Sequence, residues 1–142
     1  MHPNSHDAER HAALLRLRRA QRAEARRIRQ AVADAYTLTP AHLCSPCRVA
    51  AFVEARQVAM WLMRTRLLWP LPTRNGAFPA RRIGHLLGHR DHSTVVHGVA
   101  VIVARLTSGR QEDAALRHLV YSIGAALDAS TEGQEHGRQR AA

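Results

Sequence analysis

A chain of 142 residues is long enough for one compact domain with tails. It carries 21 basic residues against 11 acidic ones, a net charge of +10 and a pI near 11.5, which fits a polyanionic partner, with nucleic acid the first candidate. Every basic residue is Arg, so a Gly-x-x-x-x-Gly-Lys-Ser/Thr phosphate loop is excluded, and no apolar run is long enough for a secretory leader or a membrane helix.

Residues 8–36 read as one long helix rich in Ala and Arg. Leu14 and Leu17, then Ile28, Val32 and Tyr36, give it an apolar stripe, and Arg16, Arg18, Arg19, Arg22, Arg26, Arg27 and Arg29 make it basic. Its first half is an arm that adds DNA affinity or grips a partner, or a solvated extension that frays; before about Ala20 the solvated reading is the plainer one. Thr39-Pro40 redirects the chain, and Thr39 can cap a short turn over residues 40–43. Residues 49–68 form the next helix, with Ala51, Phe52, Ala55, Ala59, Leu62 and Met63 at helical spacing. Trp69-Pro70-Leu71-Pro72 ends it, and the stretch through Ala77 is a loop.

A short helix follows over residues 79–87, turning Ile83, Leu86 and Leu87 inward. Gly88 can end it, because Gly accepts positive φ. Asp91 can cap the next helix, residues 91–106, whose buried stripe is Val95, Val99, Ile102 and Leu106. His92, Ser93, Thr94 and His97 fall off that stripe at its N-terminal end, where small hydrogen-bonding side chains can meet base edges in a major groove. The pattern alone fits equally a capped surface helix after an ordinary turn. A last helix spans residues 111–127 through Leu116, Leu119, Val120, Ile123 and Leu127, and residues 128–142 are polar, small and expected to be disordered. The organisation is a basic helical extension (1–24), a domain (25–127) and a tail (128–142), all-α and built around a helix-turn-helix.

The run Gly88-His89-Arg90-Asp91-His92-Ser93-Thr94-Val95-Val96-His97 closely resembles the signature of the C-terminal DNA-binding domain, domain IV, of the bacterial replication initiator DnaA, where it reads Gly-Gly-Arg-Asp-His-Ser/Thr-Thr-Val-x-His. Ala55-Arg56-Gln57-Val58-Ala59-Met60-Trp61-Leu62 resembles that family's Arg-Gln-x-Ala-Met-x-Leu helix, and Ala31-Val32-Ala33-Asp34-Ala35-Tyr36 its opening helix. The resemblance covers residues 25–106 and implies a Trp-repressor-like fold and sequence-specific binding of duplex DNA at DnaA-box-like sites, in or regulating replication initiation.

The resemblance also divides the contacts by job. It implies base contacts by Asp91, His92, Ser93, Thr94 and His97, with Asp91 also available as the helix cap. It implies phosphate contacts by Arg56, Gln57, Arg64 and Arg90, and places Arg48 in a minor groove, where a narrow AT-rich stretch concentrates negative potential. Departures from the family pattern are a longer stretch between Leu68 and Pro79, Arg82 at a usually acidic position, His89 for the second turn Gly, and Gly98 where Ala is usual. They bear on which DNA sequence is preferred.

Lacking a phosphate loop, the chain is expected to stand free of the AAA+ ATPase module, with no bound nucleotide, no cofactor and no enzyme activity. Its expected setting is the cytoplasm, at the nucleoid, with duplex DNA and other replication proteins as partners and no membrane. Alternatives are an adaptor for replication proteins with reduced DNA specificity, a phage or mobile-element initiator, and a transcription regulator. Cys44-Ser45-Pro46-Cys47 is a CxxC with His42 nearby, but no second ligand pair completes a zinc site and no βαβ pattern supports a thioredoxin-like one, so no metal is expected.

Overall fold

The computed structural model describes residues 4–67 and 78–141. Six α-helices and one 3-10 turn make up the regular structure, with no strand among the described residues: α1 (Ser5–Ala35), α2 (Pro40–Cys44), α3 (Ala50–Arg66), α4 (Ala80–Leu86), α5 (His92–Thr107), the 3-10 turn (Gln111–Asp113) and α6 (Ala114–Arg140). The expected loop over residues 69–77 lies outside the described residues. No helix among the described residues is long and apolar enough to cross a membrane.

Helix α3 is the centre, in contact with α1, α2, α4 and α5. Its sequence explains why: Ala55, Val58, Ala59, Met60, Leu62 and Met63 are all buried, so the apolar positions wrap around most of the helix rather than forming a single stripe. From α1 come Ala25, Ile28, Val32 and Ala33, and α6 adds Leu116, Val120, Ile123 and Leu127. Each fully buried Ile, Leu or Phe contributes about 1.5–3 kcal/mol by leaving water. Before Gln21, α1 buries no residue, and Leu14 and Leu15 remain 45% and 44% exposed. The first half of α1 therefore projects as a helix whose stability rests on propensity rather than packing.

Thr39 accepts from the His42 N–H while the His42 ring accepts from the Thr39 N–H, a reciprocal cap that starts α2 behind Pro40. The tail corrects an expectation. Residues 128–140 continue α6 as helix, although all of them are exposed. Arg66 pairs with Asp128, and Arg27 donates to the Leu127 carbonyl and to Thr131 Oγ1, so the first turn past the core is anchored on α1 and α3. Beyond it, Glu, Gln, Arg and Ala favour helix, and Gly133 and Gly137 each oppose it by about 1 kcal/mol.

One ion-pair network ties the second half of the domain to the first. Arg105 donates to Glu54 and to Asp113, both at 2.8 Å, and Tyr36 donates to the other Glu54 oxygen at 2.7 Å. It links α1, α3, α5 and the 3-10 turn at the end of α5 remote from the helix-turn-helix. Burial raises the Glu54 carboxyl, but the hydrogen bonds from Arg105 and Tyr36 outweigh it and hold the group below its usual value.

Candidate nucleic-acid interface

Helices α4 and α5 form the helix-turn-helix, and the turn between them is closed by backbone. The N–H groups of Leu87 and Arg90 both donate to the Gly84 carbonyl, at 3.2 and 2.9 Å. Gly88 and His89 both take positive φ, +79° and +58°. At Gly88 this is free of strain, and its lack of a side chain has a second use: a Cβ there would stand 2.4 Å from the Cys44 carbonyl oxygen. The turn therefore abuts the end of α2. His89 holds a left-handed conformation against its Cβ, as expected of a residue standing where the resembling family has Gly. Its ring meets His85 edge-on, with the two Nδ1 atoms 3.2 Å apart.

Helix α5 crosses α3 at Gly98. A Cβ on Gly98 would come within 2.7 Å of Met60 Sδ and 3.2 Å of Gln57 Cγ. The helix-propensity penalty of this Gly is offset by a close crossing, and that crossing fixes how far the start of α5 stands from α3. The N-terminus of α5 is capped by Asp91, whose carboxylate accepts from the His92 N–H at 2.9 Å and from Ser93 Oγ at 2.6 Å. These bonds, the Ser93 one foremost, hold Asp91 below the usual carboxylate range. Asp91 thus caps the helix and engages Ser93, and both are turned toward each other rather than left open.

The predicted residues divide into two groups. An open recess of about 770 Å³ is lined by Arg48, Arg56, Gln57, Arg90, Asp91, Thr94 and His97, together with Cys44 and the turn residues Gly88 and His89. Within it, the side chains of Arg48, Gln57, Thr94 and His97 make no hydrogen bond or ion pair among the described residues, and Arg48, Thr94 and His97 are exposed. His92 lies around the corner beside Arg81, His85, Arg90 and Asp91. Arg81 and His85 were not among the expected site residues; the signal available in the sequence was a polar face on α4 opposite Ile83.

The three arginines expected at phosphate, Arg56, Arg64 and Arg90, each hold backbone carbonyls of the domain. Arg56 is buried, 5% exposed, and donates to the carbonyls of Ser45 and Cys47. Burial, followed by the neighbouring Arg90 charge, lowers its guanidinium from its ordinary value. Arg90 also donates to the Ser45 carbonyl, and to that of Leu87 at 3.3 Å. Arg64 donates to the Phe78 carbonyl at 2.8 Å, beside a small apolar hollow formed with Ala80, Val95, Val96 and Val99. The family resemblance implies phosphate for Arg56; what sequence could not show is that the loop before α3 folds its carbonyls back onto it. No cluster of three metal-binding side chains occurs among the described residues.

This geometry is a capped recognition helix, a tight turn and a basic loop around one basic recess. The family model of the bacterial DnaA protein helix-turn-helix matches residues 25–102. The chain belongs to that family. Three relatives similar to the chain are each a chromosomal replication initiator protein DnaA. The Spiroplasma citri protein is 34% identical over 98 residues, covering 69% of this chain and 19% of the relative. That of Dechloromonas aromatica is 41% identical over 75 residues, covering 53% and 14%, and that of Rhodopseudomonas palustris 36% over 110 residues, covering 78% and 20%. The chain spans a fifth or less of the length of these relatives, so what it shares with them is the DNA-binding helix-turn-helix domain of the DnaA family.

Proposed function

We propose that the protein binds duplex DNA sequence-specifically at DnaA-box-like sites and acts in, or regulates, replication initiation by occupying them. The observation that carries this reading is the recess. It collects Arg48, Gln57, Thr94 and His97, whose side chains make no hydrogen bond or ion pair among the described residues, around the start of α5 in a chain of the DnaA helix-turn-helix family.

In this reading α5 enters the major groove by its N-terminus. Thr94 offers a hydroxyl and a methyl, the latter suited to a thymine methyl, and His97 and His92 offer ring nitrogens to base edges. Asp91 and Ser93 hold the first turn of α5 in shape. Arg48, exposed on the loop before α3, reaches the minor groove. Gln57 and Arg81 meet phosphate oxygens. Arg56, Arg64 and Arg90 act chiefly through the backbone they hold, fixing where Arg48 and α5 stand relative to each other.

The test is fluorescence anisotropy with a labelled duplex carrying a DnaA box, competed by a scrambled duplex, at near-physiological salt. A preference of about a hundredfold or more for the box is expected of a sequence reader, a threshold set below the roughly thousandfold at which the usual range for specific over non-specific binding begins. Equal, salt-sensitive binding of both duplexes would refute sequence-specific binding and point to a surface that reads only charge.

A further inference from the structure

The proposed DNA contacts make no use of the CxxC in the loop between α2 and α3. Cys44 is the last residue of α2, and Cys47 immediately precedes Arg48. Both are free thiols of intermediate exposure. Cys44 lines the same recess as Arg48, Thr94 and His97.

The backbone joining the two cysteines is also the joint of the domain. Arg56 of α3 donates to the carbonyls of Ser45 and Cys47, and Arg90 of the helix-turn-helix turn donates to that of Ser45. The carbonyl of Cys44 faces Gly88 so closely that no side chain fits between them. Helix α2, helix α3 and the turn before α5 thus meet on four residues, the first and last of which are cysteines. Any change in the backbone at Cys47 moves Arg48, and any change at Ser45 pulls on both arginine anchors.

We propose that Cys44 and Cys47 form a reversible disulfide by exchange with a low-molecular-weight disulfide of the glutathione class, and that the oxidised protein binds DNA more weakly than the reduced one. The chemistry balances in two steps. One cysteine thiolate attacks a sulfur of the small disulfide, forming a mixed disulfide and expelling one small thiolate. The second cysteine thiolate then attacks the protein sulfur of that mixed disulfide and expels the other small thiolate. Two protein thiols are oxidised, one small disulfide is reduced to two thiols, and the two protons lost by the cysteines end on them.

The coupling to DNA follows from geometry. A disulfide requires Cα atoms about 4.4–6.8 Å apart and a Cβ–S–S–Cβ dihedral near a right angle. Imposing that constraint across Ser45-Pro46 acts on the very carbonyls that Arg56 and Arg90 hold. The reduced loop, with Arg48 presented to the recess, is the DNA-binding form. By linkage, DNA must disfavour the disulfide by the same factor by which the disulfide weakens DNA binding.

This inference rests on the proposed DNA reading, and the experiment separates the two. The full chain is equilibrated in glutathione buffers of fixed ratio, alkylated, and weighed by mass spectrometry with and without a box duplex. Anisotropy with the labelled duplex is measured on the same samples. Expected are loss of two hydrogens within one chain, an affinity about tenfold or more weaker when oxidised, recovery with dithiothreitol, and a shift of the midpoint toward more oxidising buffer when DNA is present. The double variant Cys44→Ser/Cys47→Ser should bind as the reduced protein does at every ratio. Failure to form the bond in fully oxidised glutathione, cross-links between chains, or a bond with no effect on affinity would each overturn the proposal. Reduced protein that binds no duplex would instead refute the DNA reading, and the switch with it, while the thiol measurement still reports whether the bond forms.

Discussion

A methyl group added to Gly84 would lie 2.1 Å from the carbonyl oxygen of Arg90. The clash is with backbone, which has no rotamer by which to escape, and it falls inside the turn whose Arg90 N–H donates to the Gly84 carbonyl at 2.9 Å. Gly84→Ala must therefore push α5 away from α4. We expect a loss of about 2–3 kcal/mol in a urea titration, despite the better helix propensity of Ala. Affinity for a box duplex should fall by more than the stability loss accounts for at protein concentrations where the variant is still folded. A variant of unchanged stability would show that the turn is not as tight as described.

His89 sits at φ +58° without the freedom of Gly. Replacing it with Gly removes the left-handed strain, and the gain is reduced by the looser unfolded chain and by the lost His85 contact. The expected balance is a stabilisation of up to about 1 kcal/mol, or a rise of a few degrees in Tm. Gly88→Ala next door should do the reverse, since its φ is +79° and its Cβ would meet Cys44. Calorimetry on both variants decides; a lower Tm for His89→Gly would mean that the His85–His89 contact outweighs the strain.

Much of this interface was legible from residue pattern. Thr39-Pro40, Gly88 and Asp91 announced their turns and caps because each does so by local chemistry, within four residues of itself. The stripe Val95, Val99, Ile102 and Leu106 predicted which face of α5 is covered, and Val95 and Ile102 are fully buried. What stayed hidden depends on distant pairing. Nothing local says that Arg56 is buried against Ser45 and Cys47 while Arg48 is exposed, since both are arginines near the start of one helix. Nor does Gly98 reveal from its own neighbours that Met60 lies against it. The helical tail is a third case: its polarity suggested disorder, whereas Arg66 and Arg27 anchor its first turn from other helices.

Base reading by hydrogen bonds and charge neutralisation by arginine separate by their salt dependence. Thr94→Ala and His97→Ala should each lose on the order of 1–3 kcal/mol on the preferred duplex and little on a scrambled one, with the salt slope unchanged. Arg48→Ala should weaken both duplexes and lower the slope of log K against log salt by about one. Anisotropy titrations at several salt concentrations distinguish these outcomes. Equal losses on both duplexes for Thr94→Ala would remove it from the base-reading set.

Arg56 should behave unlike Arg48. Because its guanidinium donates to two backbone carbonyls from a buried position, Arg56→Ala leaves those carbonyls unpartnered and opens space beside α3. Leaving buried polar groups unsatisfied costs about 1–3 kcal/mol, so the variant should unfold at lower denaturant while its salt slope stays near that of the parent. A fall of one in the slope with unchanged stability would return Arg56 to the phosphate backbone.

The network of Glu54, Arg105, Asp113 and Tyr36 bears on both edges of the pH–stability profile. The hydrogen bonds from Arg105 hold Glu54 and Asp113 below their ordinary values in the folded protein. A lowered carboxylate contributes stability above its unfolded value, about 4 for both groups, and that contribution is lost as pH falls through the folded value. The acid limb should therefore begin near pH 4–5 and steepen below it. Tyr36 is displaced the other way: burial, then the hydrogen bond to Glu54 and its charge, push the phenol up. A raised phenol contributes stability below its unfolded value, about 10, and loses it as pH rises beyond that. Denaturation across the pH range should show Arg105→Ala less stable near neutrality with a shallower acid limb, and Tyr36→Phe with a shallower alkaline limb and, its hydrogen bond to Glu54 lost, an acid limb weakened less than in Arg105→Ala. Parallel shifts of the whole curve in both variants would mean that the network stabilises by packing alone.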